Sequence, residues 1–154
     1  MSFLKKVSFL IFPIFFLLLS FSSCGSSKLT ETPMEKFSGK WELQGRSMFE
    51  GIQIELISDK NSDDFKGKVI KTNENKYVKL FVDSGDTWVS SIRRTSNYQF
   101  ELTEKKIGSE LFSLYGQSTS TIYRVEFIDE NTFGLSMNNA NPTQSKIIYK
   151  KITN

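Results

Sequence analysis

The sequence predicts an all-β protein: an antiparallel, up-and-down β-barrel of about eight to ten short strands. Three observations carry this. Apolar and polar residues alternate with period two in segment after segment, turn-forming clusters separate those segments at short and regular intervals, and no stretch holds a convincing helical period. Strands that follow one another through tight turns favour a meander. With so many of them, closing the sheet removes the exposed edges, and a barrel of this size has room for one small ligand.

The first 23 of the 154 residues stand apart from this pattern. Lys5 and Lys6 precede an apolar run from Val7 to Phe21, interrupted at Ser8 and Pro13, and small residues Ser22 and Ser23 then lead to Cys24. The run is shorter than the ~20 apolar residues of a spanning helix and gives way at once to small polar residues, as a signal peptide does. The segment also distorts the composition. Without Lys5 and Lys6, 18 basic residues face 17 acidic ones, so the net charge falls from +3 to +1 and gives no electrostatic reason to expect a nucleic-acid partner.

The only cysteine of the chain sits where cleavage should occur, and Leu19-Ser20-Phe21-Ser22-Ser23-Cys24 resembles a bacterial lipoprotein signal. The resemblance implies diacylglyceryl attachment to Cys24, cleavage before it and N-acylation of the new terminus. Phe21 departs from the aliphatic residue usual three positions before the cysteine. Several acyl chains on one residue make stable anchoring, since one alone is marginal at ~0.8 kcal/mol per buried CH₂. By the same resemblance, Gly25 directs such a protein to the outer membrane, facing the periplasm or the cell surface. The other reading of Cys24 is an unpaired thiol in an ordinary secreted protein. Residues 24–36 then read as the lipidated cysteine and a tether, polar and aperiodic from Gly25 to Thr32. Pro33 to Phe37 suits one short helical turn, with Pro33 at its start and Gly39 ending it.

The barrel domain is expected over residues 37–154. Trp41, Leu43 and Gly45 alternate with Lys40, Glu42 and Gln44, and Ile52, Ile54 and Leu56 alternate with Gln53 and Glu55. Phe65 to Thr72 reads as the third strand and Lys76 to Val82 as the fourth, the latter closed by Asp83-Ser84-Gly85-Asp86, where glycine supplies positive φ. Thr87 to Arg93 and Tyr98 to Thr103 pair across Thr95-Ser96-Asn97. In the first of these, Trp88, Ser90 and Ile92 share one face and Val89, Ser91 and Arg93 the other. Ser109 to Tyr115 and Thr119 to Ile128 follow. Asp129-Glu130-Asn131 turns into Phe133, Leu135 and Met137, and Lys146 to Ile152 is the last strand.

Gly39-Lys40-Trp41 at the start of the first strand, a short helical turn before it and a basic residue on the last strand resemble the calycin superfamily, more closely its bacterial lipocalin-like lipoproteins. In that family a tryptophan plugs the closed end of the barrel and a cation from the final strand packs over its face. The resemblance implies those roles for Gly39 and Trp41 and for Lys150 or Lys151, in Tyr149-Lys150-Lys151. Such a contact contributes ~0.5–2 kcal/mol. Lipocalins usually carry arginine at that place, and no Thr-Asp-Tyr-like motif lies between the middle strands. Trp41 as a core aromatic of some other β-sandwich is the competing reading.

The chain contains no histidine, and its cysteine is assigned to lipid. That excludes Ser-His-Asp and Cys-His catalysis, imidazole proton transfer and histidine metal ligation. Glu42, Glu55, Glu101 and Glu126 alternate with apolar neighbours and read as solvated. Asp59 to Asp63 opens like a calcium loop but lacks the glycine and glutamate that complete one. No enzyme, metal or cofactor is therefore expected. Tyr77 and Phe81 lie opposite Val78, Leu80 and Val82, and the strand of Trp88 mixes polar and apolar residues on both faces, as the lining of a ligand cavity would. Trp88, Tyr98, Phe100, Tyr123 and Phe127 are the candidate lining, with Arg93, Arg94 and Arg124 as candidates to hold a carboxylate head group. Two functions remain: a membrane-anchored barrel binding a small hydrophobic or amphipathic ligand, or a solid-core barrel binding another envelope protein, such as a protease or a toxin it neutralises. A continuous cavity lined by those rings supports the first, and a core filled by them supports the second.

Overall fold

The computed structural model describes residues 30–58 and 64–153; the signal segment, Cys24 and most of the Asp59–Asp64 turn lie outside that range. Residues 31–154 make one compact unit, organised as eight antiparallel strands closed into a barrel in strict sequence order. They are β1 (Gly39–Gln44), β2 (Gln53–Ser58), β3 (Phe65–Lys71), β4 (Thr87–Arg94), β5 (Gln99–Lys105), β6 (Ser120–Asp129), β7 (Thr132–Ser136) and β8 (Ile148–Lys151). The barrel closes where β8 pairs with β1, Trp41 opposite Lys151 and Leu43 opposite Tyr149. Among the described residues, no helix is long and apolar enough to cross a membrane.

The period-two pattern fixes which faces turn inward. In β1, Trp41 and Leu43 are fully buried, and so are Ile54 of β2 and Phe100 and Leu102 of β5. β4 departs from simple alternation. Its register against β5 shifts between Val89 and Ser91, so Trp88 and Val89 are both buried in succession, and Ile92 rather than Arg93 faces the core. The expectation that Val89, Ser91 and Arg93 share one face fails at this shift.

Two predicted strands are helices instead. The fourth is α1 (Lys76–Phe81), whose cap Asn75 accepts from the Tyr77 and Val78 amides at 2.9 and 3.4 Å. Val78 and Val82, four apart, are the buried pair, while Tyr77, Leu80 and Phe81 are exposed. The alternation of Tyr77 and Phe81 with the valines mimicked a strand because a four-residue spacing fits either period. Ser109 to Tyr115 contains α2 (Ser109–Leu114), which Gly116 ends at φ +66°, with the Gln117 amide bonded to the Phe112 carbonyl and the Gly116 amide to that of Ser113. The remaining expectations at the edges hold: Met34–Phe37 is one 3-10 turn, and a second, Pro142–Gln144, lies in the long connection before β8.

Strict up-and-down order places alternate connections at opposite ends. The Met34–Phe37 turn and the β2–β3, β4–β5 and β6–β7 connections sit at one end, closed by Phe37 and Trp41. The β1–β2, β3–β4, β5–β6 and β7–β8 connections, with α1 and α2, form the other, here termed the mouth.

Candidate functional site

At the closed end, Phe37 is the hub of a ring cluster. Its centroid lies 4.7 Å from Phe127, 4.9 Å from Phe100, 5.3 Å from Phe133 and 6.2 Å from Phe65. Trp41 meets Phe133 edge-on at 4.7 Å and donates from Nε1 to the Phe37 carbonyl at 2.7 Å, which ties the 3-10 turn onto the barrel. The Lys151 ammonium lies 5.2 Å from the Trp41 ring, while Lys150, one residue back and exposed, faces outward. Gly39, at φ +124°, lies beside the Lys151 chain, so that a Cβ there would come 3.3 Å from Cε. Period two on β8 thus decides between the two lysines.

The candidate cavity rings divide between the two ends. Phe133 also packs at 5.1 Å against Tyr149, so rings run without a break from Phe37 towards the mouth. Phe100 and Phe127 belong to the closed-end cluster, and Tyr98 is half-buried in the β4–β5 turn. Trp88 and Tyr123 are buried at the mouth end. The arginines do not face the interior as head-group anchors would. Arg93 is exposed on the outer wall, 3.8 Å from Asp64; Arg124 alternates with buried Tyr123 and Val125 and donates to Gln99. Arg94 is spent at the closed end on the Thr32 carbonyl and Glu31.

Below the mouth the barrel holds a polar chain of which the sequence-based candidates include only Trp88 and Tyr123. Trp88 Nε1 donates to the Tyr149 hydroxyl at 2.8 Å, and that hydroxyl donates to Glu104 Oε1 at 2.7 Å. Arg46, from the β1–β2 connection, donates through Nη1 to Glu104 Oε2 at 2.7 Å and through Nη2 to the Tyr123 hydroxyl. Its guanidinium also lies over the Phe49 and Tyr123 rings, at 5.2 and 5.3 Å. Glu104 is only 2% exposed. Burial first, and then the Glu104 carboxylate, push the Tyr149 hydroxyl well above the ordinary tyrosine range; burial also raises Tyr123. Burial opposes the charge on Arg46, but Glu104 outweighs it and holds the guanidinium protonated. Among the described residues, no buried side-chain nitrogen or oxygen lacks a hydrogen-bond partner.

The sequence held one usable signal for this layer. Phe100, Leu102 and Glu104 share a face of β5, so the period that buries the first two also buries the third. Nothing local marks Arg46, which reaches Glu104 across 58 residues.

A cavity of about 230 Å³ opens above this layer between Phe49, Trp88, Ile107 and Phe112. Beside it α1 and α2 flank a larger groove of about 520 Å³, lined by Leu80, Phe81, Leu111 and Leu114. Among the described residues, no group of three or more acidic or cysteine side chains could hold a metal ion.

The fold and site define an all-β, closed eight-stranded up-and-down barrel, an architecture compatible with the calycins. No protein-family model, curated protein or solved structure matches the chain.

Proposed function

We propose that the protein is a lipid-anchored binding module of the bacterial envelope, in which the barrel is a solid scaffold and the mouth face engages another envelope protein. The observation that carries this reading is the filling of the barrel by its own rings. Phe37, Phe100, Phe133, Trp41 and Tyr149 are all fully buried and pack on one another along the interior, where a hydrophobic ligand would otherwise lie. Close ring packing favours the interaction reading over a ligand held in the barrel.

The mouth supplies the surface. Leu80, Leu111 and Leu114 are 71, 58 and 79% exposed, with Phe81 and Tyr115 beside them. A patch of this kind marks an interaction site in a soluble domain. Its rim carries both signs, Lys105 and Lys106 with Asp83, Asp86 and Glu110. Such a rim suits a protein partner with a polar border of its own, whereas the carboxylates would be repelled by an anionic lipid surface. The Thr32 amide bonds to the Asn97 carbonyl at the closed end, so the chain enters the barrel at the end remote from the mouth.

A photoreactive phenylalanine analogue at Leu80 or Leu114, in the full chain within its own envelope, is expected to yield one discrete crosslinked species. The same probe at Glu101, exposed on the outer wall of β5, is expected to yield none. Identical patterns from mouth and wall positions, or no adduct from either mouth position, would overturn the reading.

A further inference from the structure

The smaller cavity at the mouth shares Trp88, Lys105, Lys106 and Ile107 with the groove beside it and adds Arg46, Glu104, Phe49 and Phe112. Its walls are aromatic and aliphatic: Phe49 meets Trp88 edge-on at 5.7 Å, and Ile107 and Phe112 face them from the β5–β6 connection. Its floor is the Arg46–Glu104 pair. Both Glu104 oxygens already accept, one from Arg46 and one from Tyr149, and the carboxylate has no donor to give an anionic ligand. Arg46 is different. Its guanidinium carries five N–H donors, of which the described partners Glu104 and Tyr123 take one each, and its side chain remains 21% exposed. Lys105 and Lys106 also border the space, and neither pairs with a carboxylate of the described residues; Lys106 Nζ lies 5.5 Å from the Phe112 ring. With Glu104 neutralising Arg46, the two lysines leave the cavity in positive excess.

We infer that this cavity is a binding site for a small, flat, ring-bearing organic anion, a carboxylate or sulfonate of one or two fused rings. The ring would lie between Phe49, Trp88 and Phe112, and the anionic group would meet the unspent Arg46 donors and the two lysines. The volume sets the size class: about 230 Å³ is below the ~300–1,000 Å³ of drug-sized pockets and matches one or two fused rings. The apolar walls supply most of the contact and the cations supply the discrimination. A neutral analogue of the same shape would keep the wall contacts and lose the charge-assisted hydrogen bonds.

The test is calorimetric titration of the full chain in detergent with 2-naphthoate and with 2-naphthol, which share the ring system and differ in charge, against micelle blanks. The expected result is saturable one-to-one binding of 2-naphthoate, at least ~10-fold tighter than 2-naphthol, and weaker at high salt. Lys105→Gln with Lys106→Gln, both surface changes that spare the core, should bring 2-naphthoate down to the level of 2-naphthol while the thermal unfolding midpoint stays put. Phe112→Ala should weaken both ligands alike. Equal affinity for the two ligands, undiminished 2-naphthoate binding by the double variant, or no saturable binding would each overturn the inference. The titration is read without a protein partner and the crosslinking at Leu80 and Leu114 without the anion, so either proposal can fail while the other stands.

Discussion

Trp41 is fully buried, donates to the Phe37 carbonyl and lies beneath the Lys151 ammonium, so its removal opens a cavity and frees the 3-10 turn together. Trp41→Ala is expected to destabilise the barrel by ~3–5 kcal/mol, read as a lowered midpoint in chemical unfolding. Unchanged unfolding would show that the ring is not the plug. Tyr149 is the corresponding residue of the polar layer. Without its hydroxyl, Trp88 Nε1 and Glu104 Oε1 would both lose a partner in a buried setting, and Tyr149→Phe is expected to cost ~1–3 kcal/mol. Its proton also ties stability to alkaline pH. Folded Tyr149 keeps that proton well above the ordinary value of 10.0, whereas the unfolded chain releases it near that value. The contribution is therefore complete below about pH 10 and is lost as the pH rises beyond it. Thermal melts between about pH 9 and 11 should fall more steeply for the parent protein than for Tyr149→Phe; parallel curves would show that Tyr149 does not carry the effect.

At the scale of elements, α1 and α2 are each six residues long, too short to persist without caps and tertiary contact. Asn75 supplies the cap of α1, and Asn75→Ala is expected to cost ~0.5–2 kcal/mol. Because Val78 is the one buried residue of that helix, the loss should appear as local opening, with faster amide exchange in residues 76–82 and little change in β5 or β6. Uniformly faster exchange across the barrel would contradict this. Gly116 plays the complementary part at the end of α2. It stands in the left-handed region, and a Cβ added there would meet nothing within 4 Å, so Gly116→Ala tests backbone strain without a steric clash. The strands need no such devices, since their pairing and their buried face set them in place.

For the whole molecule, a closed meander leaves no unpaired sheet edge, so interaction falls to its ends. The closed end carries the ring cluster, the incoming chain and a groove of about 650 Å³ lined by Arg93 and Arg94, and the mouth carries two helices with exposed apolar side chains. Anchoring belongs to this scale too. Cys24→Ala is expected to move the protein from the membrane fraction to the soluble one and to remove the mass of the acyl groups, with no change in the unfolding midpoint. Retention in the membrane fraction would overturn the lipid-anchor proposal.

What the sequence determined by itself was the strand pattern and one architectural motif. The alternation around Trp41, Leu43, Ile54, Phe100 and Leu102 is a local consequence of strand geometry, and it was enough to give an up-and-down barrel, while the closure roles of Trp41 and a β8 lysine were implied only by the resemblance of Gly39-Lys40-Trp41 to the calycins. Where two periods coincide, as for Val78 and Val82, sequence alone could not separate helix from strand; the Asn75 cap and the burial of one valine face decided it. The tertiary structure also decided between Lys150 and Lys151, turned Arg93 and Arg124 outward, and brought Arg46 to Glu104 and Tyr149 to Trp88. Those last two contacts span 58 and 61 residues, and no local pattern encodes a pairing that exists only once the barrel has closed.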